Sequence, residues 1–164
     1  MGDMRSGLKY GLLDFARESN EIERIYEREA HRTHAEALSW FLKQPSVEIA
    51  LLQGFVEQVQ PGAILRDRPG LDVTVGGRSC PRGGETIVSA LSKLLVAVNN
   101  GSLHPQIVHV QYEHIHPFTD GNGRSGRALW LWMMRRHNRF CEGEAPHIRM
   151  PLLFLQTFYY QTLG

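Results

Sequence analysis

Arg124-Ser125-Gly126-Arg127-Ala128-Leu129-Trp130-Leu131-Trp132-Met133-Met134-Arg135-Arg136 reads as a helix whose second half is apolar on every side. A helix without a polar face must be surrounded by other elements, so this one predicts the centre of an all-α fold. Arg135 and Arg136 suit its last turn, where cations meet the negative end of the helix dipole. Outward from it, apolar residues recurring at three- and four-residue spacing predict the surrounding helices. Ser19 reads as an N-cap, with acids in the turn after it. Ile22, Ile25, Tyr26, Ala30, Ala37, Leu38, Phe41 and Leu42 then predict one or two helices to about Lys43. Pro45 stops them, and Ser46 is placed to cap the next, whose buried side runs from Val47 to Val59. Glu85 to Val98 and a helix opened by His104-Pro105 complete the set before residue 116, and Ile148 to Leu163 predicts a last layer. Leu71-Asp72-Val73-Thr74-Val75 followed by Gly76-Gly77 is the one β-hairpin candidate.

Composition narrows the function classes. With 164 residues, 42% of them hydrophobic, the chain can bury one core of ordinary size and shows no compositional break that would suggest a second. A net charge of +1 argues against a dedicated nucleic-acid binder, which needs a basic stripe. The two cysteines, Cys80 and Cys141, read as reduced thiols rather than a disulfide framework, and with no secretory leader they predict a cytoplasmic protein. No apolar run approaches the ~20 residues of a membrane helix. Met1-Gly2-Asp3-Met4-Arg5-Ser6 formally fits the myristoylation pattern, but that pattern is short and one acyl chain is a marginal anchor.

The chemistry is concentrated just before the central helix, in His116-Pro117-Phe118-Thr119-Asp120-Gly121-Asn122-Gly123-Arg124-Ser125-Gly126-Arg127. Gly121 and Gly123 flank Asn122 and let the backbone amides turn inward around an anion. The positive end of the helix adds to the same spot, and phosphate is the natural ligand. Arg124 and Arg127, three apart, place two guanidiniums beside it. A carboxylate, Asp120, next to polyphosphate implies a bridging Mg²⁺. His116 carries the side chain best suited to taking a proton from an attacking hydroxyl. Surface hairpins and calcium loops also contain Asp-Gly-Asn-Gly. An EF-hand, however, would need ligands where Arg124 and Leu131 stand, and His109, His114 and His116 lack the cysteine company of a zinc site.

Over these residues the chain resembles the Fic (filamentation induced by cAMP) family, whose motif His-x-Phe-x-Asp/Glu-Gly-Asn-Gly-Arg-x-x-Arg is matched at every specified position from His116 to Arg127. The resemblance implies an all-α core with one hairpin flap, and an enzyme that moves AMP from ATP to a Ser, Thr or Tyr hydroxyl of a target protein. It implies His116 as general base and Phe118 as the buried anchor of the loop. Asp120 would hold Mg²⁺, and Gly121, Asn122 and Gly123 would cradle the α- and β-phosphates. Arg124 would bind on the β-phosphate side, and Arg127 would orient the γ-phosphate. Val73, Thr74, Val75 and Gly76 would form the flap edge to which a target segment adds as a strand. The expected division is one domain over residues 1–164: an arm and inhibitory helix in 1–30, the flap in 71–82 and the catalytic loop in 116–127. Expected partners are ATP and a target protein, without nucleic acid or membrane, and a homodimer is compatible with the resemblance.

The resemblance also implies a brake. Many Fic proteins are held inactive by Ser/Thr-x-x-x-Glu-Gly/Asn, whose glutamate pairs with the second motif arginine. Ser19-Asn20-Glu21-Ile22-Glu23 matches five positions, and Arg24 departs from the sixth. Glu23 would then reach Arg127, as in relatives with an N-terminal inhibitory helix. Three rivals share the scaffold. Phosphate transfer from reversed ATP is disfavoured by the intact Gly123 and Arg124; AMP removal would use Glu23 to align water; and a non-enzymatic nucleotide-binding regulatory module would have no use for His116.

Overall fold

The computed structural model describes residues 11–137. The Met1–Ser6 pattern, Cys141 and the apolar stretch from Ile148 to Leu163 lie outside them. Six helices follow in order: α1 (Leu12–Ile22), α2 (Arg28–Leu42), α3 (Ile49–Val59), α4 (Glu85–Asn100), α5 (Pro105–Ile115) and α6 (Asn122–Arg136). Between α3 and α4 stands the one hairpin among the described residues, β1 (Thr74–Val75) with β2 (Arg78–Ser79), antiparallel in the register Thr74 to Ser79 and Val75 to Arg78. The architecture is all-α with a single small flap.

The apolar helix is central, as its lack of a polar face dictates. Ala128, Leu129, Trp130 and Met133 are completely buried, and α6 packs against α1, α2, α3 and α5. Phe41 and Phe55 meet edge to face with centroids 5.4 Å apart, joining α2 to α3. The Trp132 indole N–H donates to the Gln44 carbonyl at 2.9 Å, so even the polar atom of that ring is satisfied inside the fold. α4 lies outside α5 and α3. No helix among the described residues is long and apolar enough to cross a membrane.

Several boundaries differ from expectation for physical reasons. Ser19 does not cap a following helix; it lies in the last full turn of α1, and the chain then breaks before α2 begins at Arg28. The N-cap of α3 is Glu48 rather than Ser46. α6 begins two residues before Arg124, because Gly121 takes the left-handed conformation, φ 79°, from which the helix launches at Asn122. The hairpin is shorter than the alternation from Leu71 suggests. The Leu71 carbonyl accepts from Arg66 and the Asp72 carboxylate accepts from the Gly83 amide, which draws both residues out of the ladder. At its tip Gly76 and Gly77 both have positive φ, 55° and 80°, the pair of values a tight two-residue turn requires.

Candidate functional site

The site is built where α5 hands over to α6. His116 ends α5 in the left-handed region, φ 51° and ψ 62°, a conformation costly for a residue with a Cβ. Its backbone N–H still donates to Tyr112 at 2.9 Å. The strain is held in place by Arg66, a fully buried arginine. Its guanidinium donates to the His116 carbonyl at 2.7 Å and the Ile115 carbonyl at 2.9 Å, satisfying carbonyls that a helix end leaves without partners. The same guanidinium donates to Leu71 at 3.1 Å and Pro81 at 2.7 Å, on the two sides of the flap base. One side chain therefore ties the flap to the start of the loop.

The loop continues as an improvised strand. Arg66 N–H donates to Pro117 at 2.8 Å, Phe118 pairs with Leu65, and Thr119 N–H donates to Ile64 at 2.9 Å. The Phe118 ring is buried, as an anchor must be. The Asn122 side-chain amide closes the loop on itself: Oδ1 accepts from Phe118 N–H and Nδ2 donates to the Phe118 carbonyl, both at 2.8 Å. Ser125 Oγ donates to the Gly121 carbonyl at 2.8 Å and meets the Tyr112 hydroxyl at 2.7 Å. The loop is thus pinned at both ends, with its charged side chains left for other work.

Those charged groups divide between two directions. Arg124 reaches the C-terminus of α3, donating to the Val59 carbonyl at 2.8 Å and Gln60 Oε1 at 2.7 Å. Arg127 turns toward α1, where its Nε donates to Ser19 Oγ at 2.7 Å, and its Nη2 donates to the Ser19 carbonyl at 3.0 Å and Glu23 Oε1 at 2.7 Å. Asp120 is exposed at the lip, with Oδ1 accepting from the Gly121 amide at 2.7 Å. The His116 ring is mostly buried, and burial lowers its pKa from the ordinary value.

Glu23 occupies a position that charge alone does not explain. It is the C-cap of α1, at the negative end of that helix dipole, where an acid is disfavoured. Helix α1 ends in a Schellman motif: Ile25 N–H donates to the Asn20 carbonyl at 2.9 Å and Arg24 N–H to the Glu21 carbonyl at 3.0 Å. The motif needs a left-handed residue at position 24, and Arg24 takes φ 59°. This supplies a physical meaning for Gly or Asn at the sixth place of the inhibitory pattern, since those residues enter the left-handed region most easily.

The neighbouring Asn20 is buried and clamped by α2. Its Nδ2 donates to His31 Nδ1 at 3.0 Å and its Oδ1 accepts from His34 Nδ1 at 2.8 Å. Burial, with Arg127 and Arg124 nearby, takes His34 down to about 3, so it stays neutral.

Two clefts meet at His116. One, about 490 Å³, is lined by Asp72, Val73, Thr119 and the loop from Asp120 to Arg124. The other, about 340 Å³, is lined by Val75, Gly76, His109, Glu113 and Arg127. His116, Thr74, Glu23 and Gly123 border both. The fold therefore brings His116, the loop and flap residues 73–76 together, while Arg124 and Arg127 open on different clefts. His109, His114 and His116 form no metal cluster, and no group of three or more His, Cys, Asp or Glu side chains suited to a metal occurs among the described residues. Cys80 carries a free thiol.

Arg66, Asn20 and Glu113 were not singled out by the sequence. Arg66 has no local signal, because its partners lie on three separate segments. Asn20 could have been found by reading Arg24 as a helix stop, which places residues 19 and 20 in a final turn. Glu113 stands one helical turn before His116, the spacing that brings two side chains to one face.

Comparison with known proteins agrees with this geometry. Residues 48–134 match the family model described as Fic/DOC family, a span that includes the flap, the loop and most of α6. The chain is 33% identical over 89 residues to Protein adenylyltransferase Fic of Drosophila virilis, covering 51% of this chain and 18% of that protein. It is 32% identical over 89 residues to the protein of the same name from Drosophila melanogaster, covering 51% of this chain and 17% of that relative. The chain thus spans under a fifth of the length of these curated relatives. Matched over more than half its length by the family model, with the loop, the flap and the buried central helix in one arrangement, the chain belongs to the Fic/DOC family.

Proposed function

We propose that this chain transfers AMP from ATP to a hydroxyl side chain of a target protein, and that Glu23 holds it back. The observation that carries the reading is the position of His116. A single imidazole stands between a polar cleft floored by an anion-binding loop and a second cleft bordered by the flap. A nucleotide in the first and an extended target segment along Val73 to Gly76 would meet at that ring. The names of the relatives point the same way.

The roles follow from chemistry already described. His116 takes the hydroxyl proton, the oxygen attacks the α-phosphorus, and pyrophosphate leaves. The Asn122 and Gly123 amides at the N-terminus of α6 would face the phosphates, while the Gly121 amide holds the Asp120 carboxylate. Arg124, released from Gln60, supplies charge on the β-phosphate side. Asp120 fits a Mg²⁺ site: its exposed carboxylate stands at the lip of the polar cleft, and this ion commonly takes one or two carboxylates together with phosphate oxygens and water. Bound there, the ion would neutralise phosphate charge. Catalysis by position and charge is nearly all that such a transfer requires. Arg127 lines the second cleft beside Gly123, which borders both, and would meet a γ-phosphate reaching that point, where Glu23 competes for it.

The test compares wild type with Glu23→Gly, each given Mg²⁺ and ATP labelled at the α- or γ-phosphate, with label followed on the protein and on lysate. Label from the α-phosphate, stronger with Glu23→Gly and absent with His116→Ala although ATP still binds, supports the reading. Label from the γ-phosphate alone would make the chain a kinase. Bound ATP without transfer would favour AMP removal or a nucleotide-binding regulatory role.

A further inference from the structure

We propose that Glu113 is the positioning residue of His116: its carboxylate faces ring nitrogen Nδ1, leaves Nε2 as the nitrogen that accepts the proton, and balances the imidazolium that results. The proposal rests on the adenylyl-transfer reading of the same site.

Glu113 and His116 lie one turn apart at the end of α5, with Glu113 Oε2 3.8 Å from His116 Nδ1. The Nδ1–H also donates to the Glu113 carbonyl at 3.3 Å, so the same residue orients the ring through its backbone and addresses it with its side chain. Glu113 is 5% exposed. Burying a carboxyl is expensive unless something nearby uses its charge, and a neutral side chain would fill the space at less cost. Its seat is specific. It rests against α6 at Gly126, where an added Cβ would stand 2.7 Å from Oε1 and 3.0 Å from the Tyr112 ring.

The charges around the pair come from every side. Arg127 of α6, Glu23 at the end of α1 and Cys80 after β2 face Glu113, while Arg66, Glu23 and Asp120 face His116. His109 borders the same Gly126 position and is held neutral by burial, down to about 4. Arg127 already shares its charge with Glu23 at 2.7 Å. Burial pushes Glu113 up to about 7 and pulls His116 below its ordinary value, so both groups are biased toward their uncharged forms.

The reactive form has both groups deprotonated. The target O–H breaks as N–H forms at Nε2, the oxygen bonds to the α-phosphorus of ATP, and pyrophosphate departs. No bond forms to Glu113; its negative charge offsets the new positive one, as an acid behind a catalytic histidine does.

The test begins without nucleotide, by NMR titration of the His116 ring in the full chain, wild type against Glu113→Gln. The wild-type ring should report a transition near neutrality. In Glu113→Gln that transition should vanish, leaving a single step below 6.5, the ordinary value. The amide is cheaper to bury, so this variant should melt no lower than wild type. In a Glu23→Gly background, Glu113→Gln should lower kcat roughly tenfold or more with KM for ATP unchanged, and shift the acidic limb of the pH profile downward. Glu113→Asp should restore part of both. The same ring titration in wild type and Glu113→Gln would overturn the proposal, whatever the activity. Altered titration with no AMP transfer by Glu23→Gly would uphold the pair and count against the adenylyl-transfer reading alone.

Discussion

Glu23 and Gly123 meet at the N-terminus of α6: the Glu23 carboxylate lies so close to the Gly123 Cα that a methyl group added there would collide with it. The place where the loop would receive a phosphate oxygen already holds an anion supplied by the chain. Removing it as Glu23→Gly leaves Arg127 without its carboxylate partner, held by Ser19 alone, and should tighten Mg-ATP binding about tenfold. That is the low end for a charge-assisted hydrogen bond, chosen because the Glu23 side chain is 37% exposed. Calorimetric titration checks this, and equal affinities would show that the carboxylate does not compete.

Arg24 would weaken the brake proposed for Glu23. A side chain in the left-handed region costs about 1 kcal/mol relative to glycine, and here the cost falls on the motif that ends α1 next to Glu23. Arg24→Gly should therefore raise Tm by about 2–4 °C and lower basal transfer several-fold. A lower Tm, or higher basal transfer, would contradict this account of the sixth position.

Arg66 should resist conservative replacement. Its planar fork reaches carbonyls on the flap base and the end of α5 at once, which a point-charge ammonium cannot reproduce. Arg66→Lys should cost about 3 kcal/mol or more in urea unfolding, because several buried carbonyls lose their donor. A loss under about 1 kcal/mol would mean that water replaces the guanidinium without penalty.

His34 makes stability depend on acidity. Its folded pKa of about 3 lies below the ordinary 6.5, so between those values the unfolded chain binds a proton that the folded chain refuses. Its contribution is full above 6.5 and is lost as pH falls toward 3. His109, held at about 4, acts in the same direction, whereas Glu113, raised to about 7, loses its contribution as pH rises. The two histidines outweigh the glutamate on acidification below pH 6.5. His34→Asn keeps a donor for Asn20 without the titration, and should flatten the slope of stability against pH by about 1.4 kcal/mol per pH unit in that window. An unaltered slope would remove His34 from the explanation.

The legible parts of this protein were those whose physics is local. Residues 128–134 announce a central helix because every direction from that axis is apolar, and Gly76-Gly77 announces a turn because only certain residues tolerate its angles. The loop from His116 to Arg127 was readable because its chemistry is contiguous. Ser19 misled, because a serine followed by acids looks like a helix start, and only the left-handed Arg24 shows that the helix is ending. The Asn122 side chain's closure of the loop was not legible, because the Phe118 backbone comes within its reach only once the loop has folded. Arg66 was invisible because its value lies entirely in partners that the fold brings from elsewhere.

The two clefts share a wall. Thr74 and His116 are common to both, while Asp120 to Asn122 belong to one and His109, Glu113 and Arg127 to the other. Were a small charged molecule to occupy one and a long peptide the other, the imidazole of His116 would be the point at which they touch.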